Sequence, residues 1–311
     1  MTTPATFGST AASRGATSAR RRHSGRTLRR TAPLIPAVVL LALFLLGPII
    51  YSLYGSLTDR AMSGYKAAAP SFVGLGNYVT LFSDPAFLKS ILLTAVFVFA
   101  SAIVGQNVLG MVLAVLMRHC ARPLASLVGG IVVVAWALPE IVAAFACYAF
   151  FASEGTLNSM LSFIGLEGPK WLLVFPMFSV ILANIWRGTA FSMMQYNAAL
   201  AEVPPEVKES AAIDGASTAQ TFFRITLPII RRSIATNLML TTLQTLGVFT
   251  LIWVMTGGGP GTSSSTLPVL AYQEAFKFSQ VGYGTAIATV TLLVGALFSV
   301  VYMKLLKPEV D

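Results

Sequence analysis

The sequence predicts an all-α integral membrane protein, and three observations support this prediction. The 311 residues are 55% hydrophobic and only 11% charged, with a mean hydropathy of +0.75, whereas soluble domains contain about 25% charged residues. Six apolar segments are each long enough to cross a bilayer as a helix. Basic residues are concentrated in alternate loops between these segments, as they are in proteins that cross a membrane several times.

A helix needs about 20 mostly apolar residues to cross roughly 30 Å of hydrocarbon. The segments that meet this requirement are 33–57, 91–117, 125–151, 173–200, 233–255 and 285–306. The fourth segment is the least apolar of them. We therefore predict a single domain of six transmembrane helices over residues 32–311, preceded by a separate region over residues 1–31.

The positions of Lys and Arg predict which side of the membrane each loop faces. If the chain begins in the cytoplasm, 15 of the 21 Lys and Arg lie on the inner side and five on the outer side, with Arg187 inside a span. Cytoplasmic loops are enriched in these residues. Both termini are therefore predicted to be cytoplasmic.

The first 31 residues form a basic tail. The tail contains seven arginines, and no acidic residue precedes Asp59. A disordered tail held in the cytoplasm by its charge has this composition, and so does a transit peptide. The basic loops that follow favour the cytoplasmic tail. Because the net charge of +9 is distributed in this way, it does not indicate nucleic-acid binding.

The sequence offers little for covalent or metal chemistry. Its two cysteines, Cys120 and Cys147, and two histidines, His23 and His119, provide neither a disulfide framework nor a metal site. The Gly-rich stretch 256–268 lacks the Gly-Lys-Ser/Thr ending of a phosphate loop, and its composition predicts a linker. We therefore predict no catalytic residue, metal site or nucleotide site.

The outer segment 72–87, FVGLGNYVTLFSDPAF, combines aromatic residues with Gly and Asp-Pro turn signals. This pattern predicts an ordered cap on the outer face.

Two ionisable residues lie near the middle of predicted spans. Glu140 follows Pro139 in the third span, and Arg187 lies in the fourth, which runs antiparallel to it. Charged groups inside a membrane are costly and usually functional. Pro139 breaks its helix and frees carbonyl groups. The two charged side chains either form an ion pair that joins two helices or line a polar pocket for a hydroxylated solute, and both can hold together.

In the fifth span, Thr241, Gln244, Thr245 and Val248 follow the i, i+3, i+4, i+7 spacing of one helix face. A polar stripe within lipid must face protein or water, so this face is predicted to point inward. Either substrate contact or helix–helix association explains it.

The second cytoplasmic loop contains signals for two short helices. Pro205 suits the first position of a helix that ends near Asp214, and Gly215 suits the left-handed residue that stops it. Ser217 is a plausible cap for a second helix that ends before Pro228. The loop is either an amphipathic connector on lipid headgroups or a docking surface for another protein.

The same loop resembles a known signature. The pattern EAA…G…I-LP of the membrane subunits of binding-protein-dependent ABC importers is matched by Glu209, Ala211, Ala212, Gly215, Ile225, Leu227 and Pro228. Ser210 stands where the family usually has Ala. The strings AAIDGASTAQTFFRITLP, FVGLGNYVTLF, TGGGPGTSSSTL and YQEAF are similar to the maltose and glycerol-phosphate branch. The resemblance covers nearly all of the chain after residue 32.

The resemblance implies a type I ABC importer permease fold in a bacterial cytoplasmic membrane. It also implies that loop 202–232 holds a coupling helix that docks on an ATPase subunit, with small residues allowing close approach. The implied coupling residues are Glu209, Ala211, Ala212, Asp214 and Gly215. The implied partners are a second permease subunit, an ATPase dimer that binds ATP and Mg²⁺, and an extracytoplasmic solute-binding protein. This chain would hold no cofactor and would catalyse no reaction.

The implied substrate is a mono- or oligosaccharide. Alternatives are the same architecture importing glycerol-3-phosphate or a glycerophosphodiester, and a standalone ion-coupled transporter, which would need an ion relay and an inverted repeat. A membrane-embedded enzyme is disfavoured because no catalytic constellation is present. The candidate substrate residues are Glu140, Arg187, Gly188, Phe191, Thr241, Gln244, Thr245, Val248 and Thr250. The family more often has an acid or amide at the position of Thr250.

Overall fold

The computed structural model describes residues 32–305. Every regular element in this range is a helix, apart from an isolated antiparallel bridge between Thr58 and Phe72. The predicted basic tail over residues 1–31 and the C-terminal end lie outside the described residues, so the predicted location of the termini stays a prediction.

The helices follow one another along almost the whole described range. In chain order they are α1 (Ile35–Gly55), α2 (Tyr65–Ala68), α3 (Gly76–Ser83), α4 (Pro85–His119), α5 (Arg122–Ala137), α6 (Glu140–Phe151), α7 (Thr156–Phe163), α8 (Trp171–Val174), α9 (Pro176–Ala201), α10 (Pro205–Ile213), α11 (Thr218–Thr221), α12 (Leu227–Ile229), α13 (Arg231–Leu246), α14 (Thr250–Thr256), α15 (Leu267–Tyr272) and α16 (Val281–Leu305). Wider π-type turns occur at Ala42–Leu46, Val98–Gln106, Phe222–Thr226 and Gln273–Lys277.

Four apolar stretches in the described range are long enough to cross a membrane, and a fifth results if α13 and α14 form one span with a bend of 48°. The four are Ile35–Gly55, Pro85–His119, Glu140–Phe163 and Val281–Lys304. The first, second and sixth predicted segments are therefore confirmed as long apolar helices. The fourth corresponds to α9, whose 26 residues meet the length requirement but are more polar.

The third predicted segment, 125–151, is not one helix. It consists of α5 and α6, separated by Leu138 and Pro139 in extended conformation. Pro139 cannot donate a backbone hydrogen bond, and the residue before a proline is disfavoured in helical geometry. The predicted break at Pro139 is confirmed, and it places Glu140 in the first turn of α6.

Close backbone contacts hold α4 against α9. A Cβ atom added at Gly105 would lie 2.3 Å from the side chain of Ile185, and one added at Gly110 would lie 2.5 Å from Cβ of Ser192. Small residues allow helices in membranes to approach closely. Because α9 also packs against α5, α6, α13 and α14, it is the central helix of residues 52–305.

The segment that was predicted to be an ordered cap is ordered. Asn77 Nδ2 donates to the carbonyl oxygens of Ser56 and Thr58, each at 2.8 Å. The backbone N–H of Ser71 donates to Asp59, which also forms a 3.3 Å ion pair with Lys66. These contacts, the Ser71 hydrogen bond foremost, lower the pKa of Asp59.

The Gly- and Ser-rich stretch 256–268 is a folded segment and not a loose linker. Gln273 Nε2 donates to the carbonyl of Gly257 at 2.9 Å, and Ser265 Oγ donates to Gln273 Oε1 at 3.3 Å. Ser264 and Ser265 are fully buried. Composition predicted a linker because it does not reveal that Gln273 returns to hold the loop.

Residues 32–51 belong to a separate compact unit, which consists of most of α1.

We expect Gly110→Ala to destabilise the protein, because its Cβ would meet Ser192 and also the backbone nitrogen of Met193 at 2.9 Å. Overpacking of this kind costs about 1–3 kcal/mol. Gly130→Ala is the matched control, since no atom lies within 4 Å of its added Cβ. Thermal unfolding of the purified protein tests this, and an equal midpoint for the two variants would contradict the close packing of α4 on α9.

Candidate functional site: a helical loop and a buried polar seam

The loop between α9 and α13 has a rigid turn at its centre. After α10, the N–H of Gly215 donates to the carbonyl of Ala212, and the N–H of Ala216 donates to that of Ala211. With Gly215 at φ +80°, this is the Schellman arrangement that closes helices. The predicted stop at Gly215 is therefore confirmed.

The second part of the loop begins as predicted and ends differently. Ser217 Oγ accepts from the N–H of Gln220 at 3.3 Å, and Gln220 Oε1 accepts from the N–H of Ser217 at 2.8 Å. This capping box fixes the start of α11. The prediction that the helix ends before Pro228 was wrong. A π-type turn over Phe222–Thr226 precedes α12 and leads the helical path through Pro228 to Ile229.

The loop exposes one side of α10. Glu209, Ala212 and Asp214 are exposed, and the side chain of Ile213 is 86% exposed. Ala211 differs from the prediction, because it is only 6% exposed and is covered by its own chain. Of the two alanines that were predicted to form a shallow surface, only Ala212 is accessible to a partner.

A group of buried polar side chains joins α4, α9 and α13. Asn107 Oδ1 accepts hydrogen bonds from the hydroxyl of Tyr196 and from Asn237 Nδ2, the latter at 2.7 Å. Asn107 Nδ2 donates to Thr241 Oγ1 at 3.2 Å, and Asn237 Nδ2 also donates to Ser192 Oγ at 3.0 Å. We call this set (Asn107, Ser192, Tyr196, Asn237 and Thr241) the polar seam.

A second set of buried contacts lies one to two turns away on the same helices. Asn184 Nδ2 donates to Ser101 Oγ at 2.8 Å and to Thr245 Oγ1 at 3.4 Å. Gln106 Nε2 donates to the carbonyl of Asn184 at 2.9 Å. The side chain of Gln106 also fills the space beside Gly188, where an added Cβ would lie 2.3 Å from its amide carbon. Gly188 therefore serves close helix packing here.

The predicted stripe on the fifth span is divided. Thr241 and Thr245 are buried and face α4 and α9, whereas Gln244 is exposed. Val248 lies beyond the end of α13 at Leu246, so it does not continue the same helix face. The prediction of a single face was wrong because the bend at Gly247–Phe249 interrupts the period on which it depended. Thr250 begins α14.

Glu140 and Arg187 do not pair with each other within 4 Å, although the sequence suggested that they could. Glu140 Oε1 and Arg187 Nε are both buried atoms, and neither has a hydrogen-bond partner in the described residues. Phe191 follows Arg187 by one helical turn, and its ring lies 6.2 Å from that of Trp136. The charged groups therefore retain unused hydrogen-bonding capacity beside an aromatic pair.

Sequence reasoning missed most of the polar seam and of the second set of buried contacts. Asn107, Asn184, Asn237 and Tyr196 are buried in apolar helices, and a search for charged residues in spans passes over neutral amides. One signal was present, because Asn237, Thr241 and Thr245 have the i, i+4, i+8 spacing of one helix face.

Long apolar helices that enclose buried amides are the architecture of an integral membrane protein. The chain belongs to the family described as binding-protein-dependent transport system inner membrane component, whose sequence model matches residues 106–311. The predicted family resemblance is confirmed.

Relatives align over most of the chain. It is 31% identical to the sulfoquinovosyl glycerol transport system permease protein of Agrobacterium fabrum over 89% of each chain. It is 30% identical to the trehalose/maltose transport system permease protein of Thermococcus litoralis, over 87% of this chain and 91% of that one. A chain of a bacterial ABC transporter involved in the import of the acidic polysaccharide alginate has the same fold, with a TM-score of 0.78 and 24% identity. The match covers 93% of this chain and 100% of that chain.

We expect Asn107→Leu to lower the midpoint of thermal unfolding of the purified protein. The change leaves the hydroxyl of Tyr196 without its acceptor and removes one of the two acceptors of Asn237 Nδ2. Each interhelical hydrogen bond in a membrane contributes about 0.6–2 kcal/mol. Tyr196→Phe should have a smaller effect because it removes a single donor.

The control for the polar seam is Thr291→Ala, since Thr291 Oγ1 bonds only the carbonyl of Ile287 in its own helix. A loss of stability in the control as large as that of Asn107→Leu would show that the seam has no special role.

Proposed function

We propose that this chain is the permease subunit of an ATP-driven importer that receives a carbohydrate from an extracytoplasmic binding protein. It would work with a second permease subunit and two ATPase copies, and ATP hydrolysis would take place on the ATPase. The observation that carries the proposal is the rigid, exposed helical loop 202–232 in a chain of this family. The names of the relatives, which specify sulfoquinovosyl glycerol and trehalose/maltose, support a carbohydrate.

The loop has the properties of a docking element. The Schellman turn at Gly215 and the capping box at Ser217 fix its shape, and Ile213 projects from it. An exposed isoleucine beside Glu209 and Asp214 suits a partner groove that has an apolar floor and a basic rim. In this proposal Glu209 and Asp214 form charged contacts with the ATPase, and Ala212 allows close approach.

Movement of the loop can reach the membrane helices directly. The path from α11 to Ile229 is helical, and Ile230 then leads into α13. Ile230 is buried in a cluster with Ala199, Leu200 and Val203 at the other end of the loop. Because both ends of the loop are anchored in this cluster, displacement of α10 would move α9 and α13 together and bias the permease between two states.

We infer six spans from the same geometry. The helices α5 and α6 would form one broken span, α9 another, and α13 with α14 a bent one, in addition to α1, α4 and α16. The excess of Lys and Arg on one side supports cytoplasmic termini and a cytoplasmic position for loop 202–232.

The substrate would contact Arg187, Phe191 and Glu140. Glu140 Oε1 and Arg187 Nε have no hydrogen-bond partner among residues 32–305, and such buried atoms are costly in a membrane unless a ligand or water meets them. The ring of Phe191 would pack on the apolar face of a sugar. Gln244 and Thr250 would add contacts, whereas Gly188, Thr241 and Thr245 would act by positioning the helices.

One observation favours a second candidate, the import of an anionic ligand such as glycerol-3-phosphate or a glycerophosphodiester. Arg187 is not neutralised by Glu140 through an ion pair. A guanidinium group binds phosphate strongly when it is not already occupied.

The coupling role is tested with Gly215→Asp, which should abolish uptake while the protein still reaches the membrane. Gly215 has φ +80°, and no atom lies within 4 Å of an added Cβ, so the change disturbs only the turn and its surface. Gly165→Asp is the matched control, with φ +79° and equally open space, in a loop predicted to be outside. Uptake and ATPase activity of the reconstituted complex are measured, and normal uptake by Gly215→Asp would refute coupling through this turn.

The rival ion-coupled mechanism predicts that uptake persists without ATP and collapses with the ion gradient. Copurification of the chain with an ATPase subunit supports the importer.

The choice between a neutral and an anionic ligand is tested with Arg187→Gln. If the ligand carries a phosphate, loss of the guanidinium should reduce uptake of glycerol-3-phosphate about tenfold or more and leave trehalose uptake little changed, because charged hydrogen bonds contribute about 1.5–3 kcal/mol. Uptake of both labelled solutes is compared, and equal reduction of both would indicate a role for Arg187 in positioning helices.

A further inference from the structure

A polar cavity lies where loop 202–232 meets the two helices that it joins. The cavity has a volume of about 270 Å³, and its walls come from the end of α9 and the start of α13. Two of its lining residues are alanines, which leave the space open. The other lining residues are all polar: Gln195, Glu202, Arg232, Ser233 and Thr236.

The uncharged polar side chains of this cavity are unused within residues 32–305. The amide of Gln195 and the hydroxyls of Ser233 and Thr236 form no hydrogen bond with any described residue. Further along α13, in contrast, Thr241 Oγ1 donates to the carbonyl of Asn237 at 2.8 Å, as hydroxyls in helices commonly do. The hydroxyls at the cavity are therefore available to a ligand.

The cavity also has one charge of each sign. Glu202 follows the last residue of α9, and Arg232 lies in the first turn of α13. Within residues 32–305, neither side chain has an ion-pair partner within 4 Å. A guanidinium group with a neighbouring hydroxyl suits a phosphate, and a carboxylate suits an ammonium group. The pair of charges fits a ligand that carries both groups.

The segment beside the cavity has the composition of a membrane surface. Phe223 and Ile229 are 65% and 47% exposed, and Arg224 and Arg231 are exposed next to them in the sequence. Exposed apolar side chains together with arginines are typical of segments that lie among lipid headgroups. The ligand that such a position supplies is the headgroup of a lipid.

We propose that this cavity binds the headgroup of a phosphatidylethanolamine lipid. Its phosphate would contact Arg232 and Ser233, and its ammonium would contact Glu202. The cavity is smaller than the pockets of about 300–1,000 Å³ that enclose drug-sized ligands, so it suits a headgroup whose acyl chains remain in the bilayer. An anionic lipid without an ammonium group is disfavoured, because Glu202 would repel it.

The bound headgroup would link the two ends of loop 202–232, because Glu202 precedes the loop helices and Arg232 follows them. The inference does not rest on the proposed transport of a carbohydrate, since lipid binding is measured without transport.

The experiment uses the complex of this chain with its partner permease and ATPase subunits, purified in detergent. The complex is titrated with phosphatidylethanolamine, phosphatidylcholine or phosphatidylglycerol of identical acyl chains, and the Kd for each lipid is obtained by native mass spectrometry. The wild type should bind phosphatidylethanolamine about two- to fivefold more tightly than phosphatidylcholine, whose methylated ammonium cannot donate to Glu202. This is the range for an ion pair at an exposed site.

Two variants separate the two contacts. Glu202→Gln should abolish the preference for phosphatidylethanolamine over phosphatidylcholine. Arg232→Gln should weaken binding of both lipids about two- to fivefold and keep the preference, because both carry a phosphate. The matched controls are Glu206→Gln and Arg231→Gln, which change exposed charges nearby that do not line the cavity. Both controls should bind lipids like the wild type.

Four results would overturn the inference. They are equal affinity of the wild type for phosphatidylethanolamine and phosphatidylcholine, tighter binding of phosphatidylglycerol than of either, losses in the controls as large as those in the cavity variants, and displacement of the lipid by an equal concentration of free phosphoethanolamine, which would indicate a soluble ligand. Thermal unfolding before lipid is added completes the test. A lower midpoint for Glu202→Gln than for Glu206→Gln would show that Glu202 pairs with Arg232 in the protein, which would also overturn it.

Discussion

The structure depends on the hydrogen bonds that Asn107 makes at the crossing of α4, α9 and α13. A neutral amide in an apolar helix is costly unless its donor and acceptor are both used. Asn107 uses both, by accepting from Tyr196 and Asn237 and donating to Thr241. These bonds fix the rotation of each helix about its axis, which apolar contacts between lipid-like side chains leave weakly specified. The direction in which Arg187 and Phe191 point is set by this rotation of α9.

The same helices connect the polar seam to loop 202–232. Where the loop begins, α9 ends in the cluster that contains Leu200 and Val203. Where the loop ends, Ile230 lies in the same cluster and α13 follows it. Between these points the loop is held by backbone hydrogen bonds and by a capping box. A loop that is stiff and anchored at both ends can transmit displacement, whereas a flexible connector would absorb it. The polar seam lies on α9 and α13, the two helices that the loop joins, and on α4.

Much of the fold could be predicted, and the failures have physical causes. The long apolar helices α1, α4 and α16, the break at Pro139, the stop at Gly215 and the cap at Ser217 follow from local chemistry that operates within a few residues. The prediction of a single polar face on the fifth span was wrong because the bend after Leu246 changes the direction of the helix. The prediction of a linker over residues 256–268 was wrong because Gln273, which follows the stretch in the sequence, folds back and holds it in place.

By itself the sequence determined that the chain is helical and apolar enough for a membrane, where its helices break, and which signature loop 202–232 contains. These properties depend on hydropathy, proline, glycine and capping residues, which act locally. Only the tertiary structure decided that Glu140 and Arg187 do not pair, that Gly188 packs against Gln106, and that Trp136 lies beside Phe191. Contacts between helices depend on how each is rotated and tilted against its neighbours, and periodicity within one helix does not contain that information.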